Sequence, residues 1–119
     1  MKRIALLIPA LLLSATAFAA DPVKKSGDIY VTTDGMTIYT FDKDAANSGK
    51  SVCNDGCAKN WPAVAAPAGV SGEWSAITRD DGTKQLAYKG KPVYTFAGDK
   101  KAGDRNGDGF KDMWRLVKD

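Results

Sequence analysis

The sequence predicts a small antiparallel all-β domain, barrel- or sandwich-like, made of two pseudo-equivalent repeats that each contain a hairpin. Three observations carry that expectation. The string Tyr-Thr-Phe-x-x-Asp occurs twice, at Tyr39-Thr40-Phe41-Asp42-Lys43-Asp44 and at Tyr94-Thr95-Phe96-Ala97-Gly98-Asp99. Short runs of β-branched and aromatic residues alternate with Gly, Asn, Asp and Pro, the pattern of short strands joined by turns. Helix signals are scarce: only residues 57–61 suit a helical turn, and Pro62 stops it.

Aligning the two copies brings further residues into step. Gly35 pairs with Gly90 and Ile38 with Val93; after a two-residue slip, Trp61 pairs with Trp114 and Val64 with Val117. A period of about 55 residues in so short a chain means two similar supersecondary units folded against one another. Neither unit can cover its own apolar face alone.

Taken in order, residues 1–19 read as a secretory signal peptide. Lys2 and Arg3 form a basic start, residues 4–13 an apolar stretch too short to span a membrane, and Ala17-Phe18-Ala19 a small-residue cleavage site. No Cys stands at that junction to carry a lipid, so no stable membrane anchor is expected. Residues 20–119 form a single β domain: repeat 1 over 27–64, a linker over 65–72 and repeat 2 over 73–119.

In repeat 1, residues 28–33 and 36–41 flank Asp34-Gly35, which favours a type I′ hairpin turn. In repeat 2, residues 85–88 and 91–96 flank Lys89-Gly90 in the same way, with Pro92 confined to a strand start or an edge. A strand over 74–78 reaches 86–88 through the turn at Asp81-Gly82. Short strands near 61–64 and 114–117 are expected to close each repeat.

Composition removes several functions. The chain has no histidine, which excludes Ser-His-Asp and Cys-His mechanisms and the commonest zinc ligand. The formal charge of +3 falls to fifteen basic against fourteen acidic residues once Lys2 and Arg3 leave, with the signs interspersed. That pattern fits neither nucleic-acid binding nor a polybasic membrane patch. No nucleophile–base pair is visible, so no enzymatic activity is expected.

In an extended strand Tyr39 and Phe41 share one face, as do Tyr94 and Phe96. The simpler role for these rings is core or inter-repeat seam, with Asp44 and Asp99 capping turns by accepting backbone N–H bonds. The sharper alternative is an aromatic platform with a carboxylate beside it, suited to sugars or small planar ligands. Trp61, Trp74 and Trp114 invite the same question; the repeat equivalence of Trp61 and Trp114 favours core anchors.

Cys53 and Cys57 are the only thiols, and an exported chain makes a disulfide their expected state, worth about 2 kcal/mol by chain entropy. A redox or metal-thiolate role is the alternative, although the spacing is not Cys-x-x-Cys. Asp104, Asn106, Asp108 and Asp112, with Gly109 at the sixth place, match part of a calcium loop. The twelfth place is Arg115 where a bidentate acid belongs. In the repeat alignment this loop and the Cys53–Cys57 loop are equivalent, each between the Tyr-Thr-Phe strand and the Trp strand. A site, if present, is expected there.

Tyr39-Thr40-Phe41 with Asp44, followed by Ser51-Val52-Cys53-Asn54-Asp55-Gly56-Cys57-Ala58-Lys59-Asn60-Trp61-Pro62, resembles a bacterial secreted-repeat family, the predicted lipoproteins with a Tyr-x-aromatic-x-x-Asp motif. Gly98-Asp99, Gly103, Asn106-Gly107 and Trp114 are similar to that family's second repeat. The resemblance covers residues 27–117 and implies export and tandem repeats, with no established activity. The function expected is a non-enzymatic binding or structural module of the cell envelope, periplasmic or extracellular, with its ligand open. A calcium-binding, other metal-binding or redox-linked periplasmic protein is the alternative.

Overall fold

The computed structural model describes residues 22–118, so the expected signal peptide lies outside the described residues. Its strands are β1 (Val23–Ser26), β2 (Ile29–Thr32), β3 (Tyr39–Phe41), β4 (Trp74–Thr78), β5 (Lys84–Tyr88), β6 (Lys91–Tyr94) and β7 (Trp114–Leu116). Among the described residues, one helical turn, α1 (Gly56–Asn60), and a 3-10 turn, Phe110–Asp112, complete the regular structure. Strands β1 and β2 form one antiparallel sheet, and β4-β5-β6-β3-β7 form a second. The fold is all-β with two repeat-like halves. The sheets stay open, and no closed barrel forms among the described residues.

Turn chemistry sets the local geometry. Lys89 and Gly90 both have positive φ (49° and 83°), the two-residue turn that β5 and β6 require. Asp34-Gly35 behaves differently from the type I′ expectation. Thr32 N–H donates to the Met36 carbonyl, and only Gly35 is left-handed (φ 93°), so the loop carries one more residue. Residues 79–83 use the same closure, with Gly82 at φ 86°. Strand β1 is an addition to the expected elements: three of its four residues are exposed, and its lysines suit an edge that discourages further pairing.

The first hairpin is also less of a ladder than its sequence suggests. Strand β2 meets the segment leading into β3 only at the Val31–Thr37 bridge, and the two strands themselves do not pair. Strand β7 fills the fork: Leu116 pairs with Tyr39, Lys118 with Ile29, and Tyr30 N–H donates to the Val117 carbonyl at 2.9 Å. The second hairpin splays beyond Ala87–Pro92, where proline has no N–H to extend a ladder. Here the segment after Trp61 fills the fork, bridging Ala63 to Tyr94 and Ala65 to Gln85, with Leu86 N–H donating to the Val64 carbonyl at 2.8 Å. The Trp segments were expected to close their own repeats. Each closes the other repeat instead.

Other contacts repeat the exchange. Asn47, in the loop of repeat 1, donates its N–H to Gly90 of the second hairpin at 2.9 Å. In repeat 2, the Asp104 carbonyl accepts the Thr37 hydroxyl of the first hairpin at 2.7 Å. At the centre Tyr39 faces Tyr94 across the β3–β6 pair, so repeat-equivalent residues are direct neighbours. Strand alternation then divides the core in two. Ile38 and Val93 pack with Val23, Leu86, Tyr88 and Val117 on one face. Tyr39, Phe41 and Tyr94 pack with Cys53, Trp61 and Trp114 on the other.

Because each half supplies the strand that fills the other's fork, residues 22–70 and residues 72–118 should each remain unfolded when produced separately. Mixed, they should regain sheet structure and dispersed amide signals by circular dichroism and NMR. A half that folds alone would contradict the exchange.

Candidate functional site

The motif residues form a crossed pair of hydrogen bonds between the repeats. Tyr39 OH of repeat 1 donates to Asp99 Oδ2 of repeat 2 at 2.6 Å. Tyr94 OH of repeat 2 donates to Asp44 Oδ2 of repeat 1 at 2.5 Å. The second oxygen of each carboxylate holds a loop: Asp44 Oδ1 accepts Val52 N–H at 2.8 Å, and Asp99 Oδ1 accepts Asn106 N–H at 2.9 Å. Both tyrosines and both carboxylates are buried.

The same loops return to the tyrosine oxygens. With the Tyr94 O–H donated to Asp44, Ser51 Oγ is left to donate to Tyr94 OH, a 2.5 Å contact, while Ser51 Oγ itself accepts Cys53 N–H at 3.2 Å. Gly107 N–H donates to Tyr39 OH at 3.2 Å. Position 107 has no room for a side chain, because a Cβ there would lie 2.8 Å from the Trp61 ring and 2.9 Å from the Tyr39 ring. Burial, reinforced by the bond to a carboxylate, raises both phenols above their ordinary 10.0.

The loop of repeat 1 has a further anchor. Arg79, at the end of β4, is buried; it donates to Cys53 O at 2.6 Å, to Asn54 Oδ1 at 3.3 Å and to Gln85 Oε1 at 2.5 Å. Gln85, fully buried, donates its amide N–H to the Val93 carbonyl at 2.8 Å. The sequence gives no role to Arg79 or Gln85, which sit in no motif, nor to Ser51, which appears only as one residue of the family string. Cys53 and Cys57 are joined in a disulfide that closes the turn ahead of α1.

The Asp-rich loop is held by protein groups. Asp104 Oδ2 accepts Lys100 N–H at 2.8 Å and Lys101 N–H at 3.2 Å, and these bonds hold its carboxyl below the usual carboxylate range. The Asn106 backbone is tied to Asp99. Asp112 lies beyond a kink at Lys111, its carbonyl accepting Arg115 Nη2 at 2.9 Å. Arg115 also pairs with Asp42 at 2.9 Å, lowering that carboxyl. Among the described residues no three His, Cys, Asp or Glu side chains gather where they could hold a metal ion.

Below the tyrosines runs an aromatic stack in which the repeats alternate. Phe41 lies on Trp114 (4.2 Å, 11°), Trp114 on Trp61 (3.6 Å, 3°) and Trp61 on Phe96 (4.2 Å, 23°). Trp61 and Trp114 are buried, as core anchors should be, whereas Trp74 is half-buried against Tyr30 and Tyr88. With Trp114 and Phe96 stacked on Trp61, and Trp61 and Phe41 on Trp114, the indole faces are taken by other rings. They cannot serve as sugar platforms.

The stack opens into a cleft of about 390 Å³ between the two equivalent loops. Phe41, Trp61, Phe96, Phe110 and Trp114 wall it, with Cys57 and Asn60 from α1 and Lys111 and Met113 from the Asp-rich loop. Phe110 is 37 % exposed, an unusual state for so large an apolar ring. The structure thus brings Phe41, Phe96 and Cys57 to one cleft and leaves Tyr39, Tyr94, Asp44 and Asp99 behind it as supports. Phe110 and Met113 carry no signal in the sequence beyond lying in the Asp-rich loop.

Tyr39→Phe and Tyr94→Phe should each lower unfolding free energy by about 1.5–3 kcal/mol, the range for a hydrogen bond to a charged group, measured by urea denaturation. Above pH 10 the unfolded chain releases phenolic protons that the folded chain keeps, so stability should fall there and hold constant, for these groups, below it. The Tyr39→Phe/Tyr94→Phe double variant should flatten that decline. Replacing Cys53 and Cys57 by Ala should cost about 2 kcal/mol, read as a lowered denaturation midpoint.

No helix among the described residues is long and apolar enough to cross a membrane. No match is found among curated proteins or among solved structures. A family model described as a secreted repeat of unknown function matches residues 23–65 and again residues 75–118, the two halves that exchange their Trp strands. The chain belongs to that family of secreted repeats.

Proposed function

We propose that this domain acts outside the cytoplasm by binding, not by catalysis, and that the cleft at the open end of the aromatic stack receives a small ligand. One observation carries the reading: five aromatic rings from both repeats wall a single cleft of about 390 Å³ where the two variable loops meet. That size and lining suit a small molecule with an apolar body. The carboxylates of the repeated motif support the same reading, since each is buried and bonded to a tyrosine and a loop N–H. A periplasmic or extracellular envelope role accords with membership of a family described as secreted.

The calcium, other metal and redox alternatives draw less support. Asp104 is already satisfied by two backbone N–H groups, and Cys53 and Cys57 are joined within a packed loop. Nucleic acid and a stable membrane anchor are not part of the proposal.

A thermal-shift screen of small planar apolar compounds against the mature protein tests it. A compound that raises the melting temperature of the native protein should lose its effect when Met113→Trp fills the cleft. A shift that survives the filled cleft, or a screen in which no compound acts, would overturn the reading.

A further inference from the structure

Granted the binding role proposed above, on which this inference rests, the charge and ring orientation of the cleft narrow the chemistry of its ligand. Among its lining residues Lys111 alone is charged, and no carboxylate lines it. Lys111 Nζ stands 5.7 Å from the Phe110 ring centroid. Among the described residues its ammonium makes no ion pair with a carboxylate. Asn60 is the one other polar side chain of the lining.

The stack adds to this. Because each indole has a ring against both faces, Trp61 and Trp114 offer the cleft only their edges. An aromatic edge is the positive part of the ring quadrupole. Edges, an ammonium and an amide together favour an electron-rich or anionic group and disfavour a cation.

The backbone that presents Lys111 is held against its ordinary preference. Lys111 (φ 51°, ψ 24°) and Asp112 (φ 58°) are consecutive non-glycine residues in the left-handed region, closely following Gly109 at φ 73°. Such conformations persist where surrounding bonds over-determine them, and they concentrate at ligand sites. Here Gly109 N–H donates to the Trp114 carbonyl at 2.8 Å, Met113 N–H to Phe110 O at 3.0 Å, and Arg115 to Asp112 O at 2.9 Å. These bonds turn the chain so that Phe110, Lys111 and Met113 all reach the cleft.

We infer that the cleft binds a small carboxylate with a planar apolar body, the body against Phe110, Met113 and the ring edges and the carboxylate on Lys111. A free small molecule is the occupant the dimensions favour. Carbohydrates are disfavoured, because their usual platforms, the indole faces, are covered.

Indole-3-acetate, its neutral amide indole-3-acetamide and the cation tryptamine serve as probes against the full mature protein, followed by NMR shifts of Phe110 and Met113. Indole-3-acetate should bind about tenfold more tightly than the amide, because only the carboxylate adds a second charge to the bond with Lys111, and tryptamine most weakly. Its affinity should fall as salt rises. In Lys111→Gln the acid and the amide should bind about equally, the acid having lost its advantage. Equal binding of acid and amide at these residues would overturn the carboxylate assignment and leave the binding role standing. No shift at Phe110 or Met113 with any probe would overturn both.

Discussion

Two buried tyrosine hydroxyls, each donated to a carboxylate of the other repeat, set the frame for the rest of the domain. Tyr39 and Tyr94 are neighbours across the β3–β6 pair, so the crossed bonds to Asp99 and Asp44 lie about a local two-fold relation between the halves. Each carboxylate also takes a loop N–H, which brings residues 51–53 and 106–107 back onto the tyrosine of the opposite half. An unmet buried carboxylate costs more than its bond returns, so these groups penalise any arrangement that separates the halves. The motif is repeated because both ends of one symmetrical junction need it.

The cleft depends on that junction. The loops tied down by Asp44 and Asp99 each lead into a Trp segment, and those segments cross to the other hairpin before the four rings can stack in alternation. Stacked pairs contribute about 0.5–1.5 kcal/mol each beyond their burial, so the stack reinforces the exchange. Where the loops differ, the cleft gains asymmetry. One contributes a disulfide-braced helical turn, the other a strained turn bearing Phe110 and Lys111. Keeping the frame while varying two loops is how a structural repeat can carry a site.

Much of the architecture is legible in the sequence because it is local. The Lys89-Gly90 turn, the strand over 74–78, the helical turn before Pro62 and the shared face of Tyr39 with Phe41 depend on a few neighbouring residues and form as expected. Pairing partners are not legible. A run such as 61–65 announces an extended segment but not which fork it fills, and the extra residue at Asp34-Gly35 hides in a string that also suits a tighter turn. Strand β1 lacks alternation because it is an edge. Arg79 bonds Gln85 within its own hairpin, but its bond to Cys53 O reaches a loop 26 residues away, and the cleft needs both loops in place. The two equivalent loops do border the cleft, though it is ring edges and one lysine that face it, not the acids of the calcium-like pattern.

The motif binds across the repeats, and double-mutant cycles measure that bond directly. Tyr39→Phe with Asp99→Asn, and Tyr94→Phe with Asp44→Asn, should show coupling on the order of 1 kcal/mol or more in unfolding free energy, as expected of groups in contact. Tyr39→Phe with Asp44→Asn, and Tyr94→Phe with Asp99→Asn, should be additive to within about 0.5 kcal/mol. Strong coupling within each repeat and none between them would contradict the crossed junction and the exchanged fold built on it.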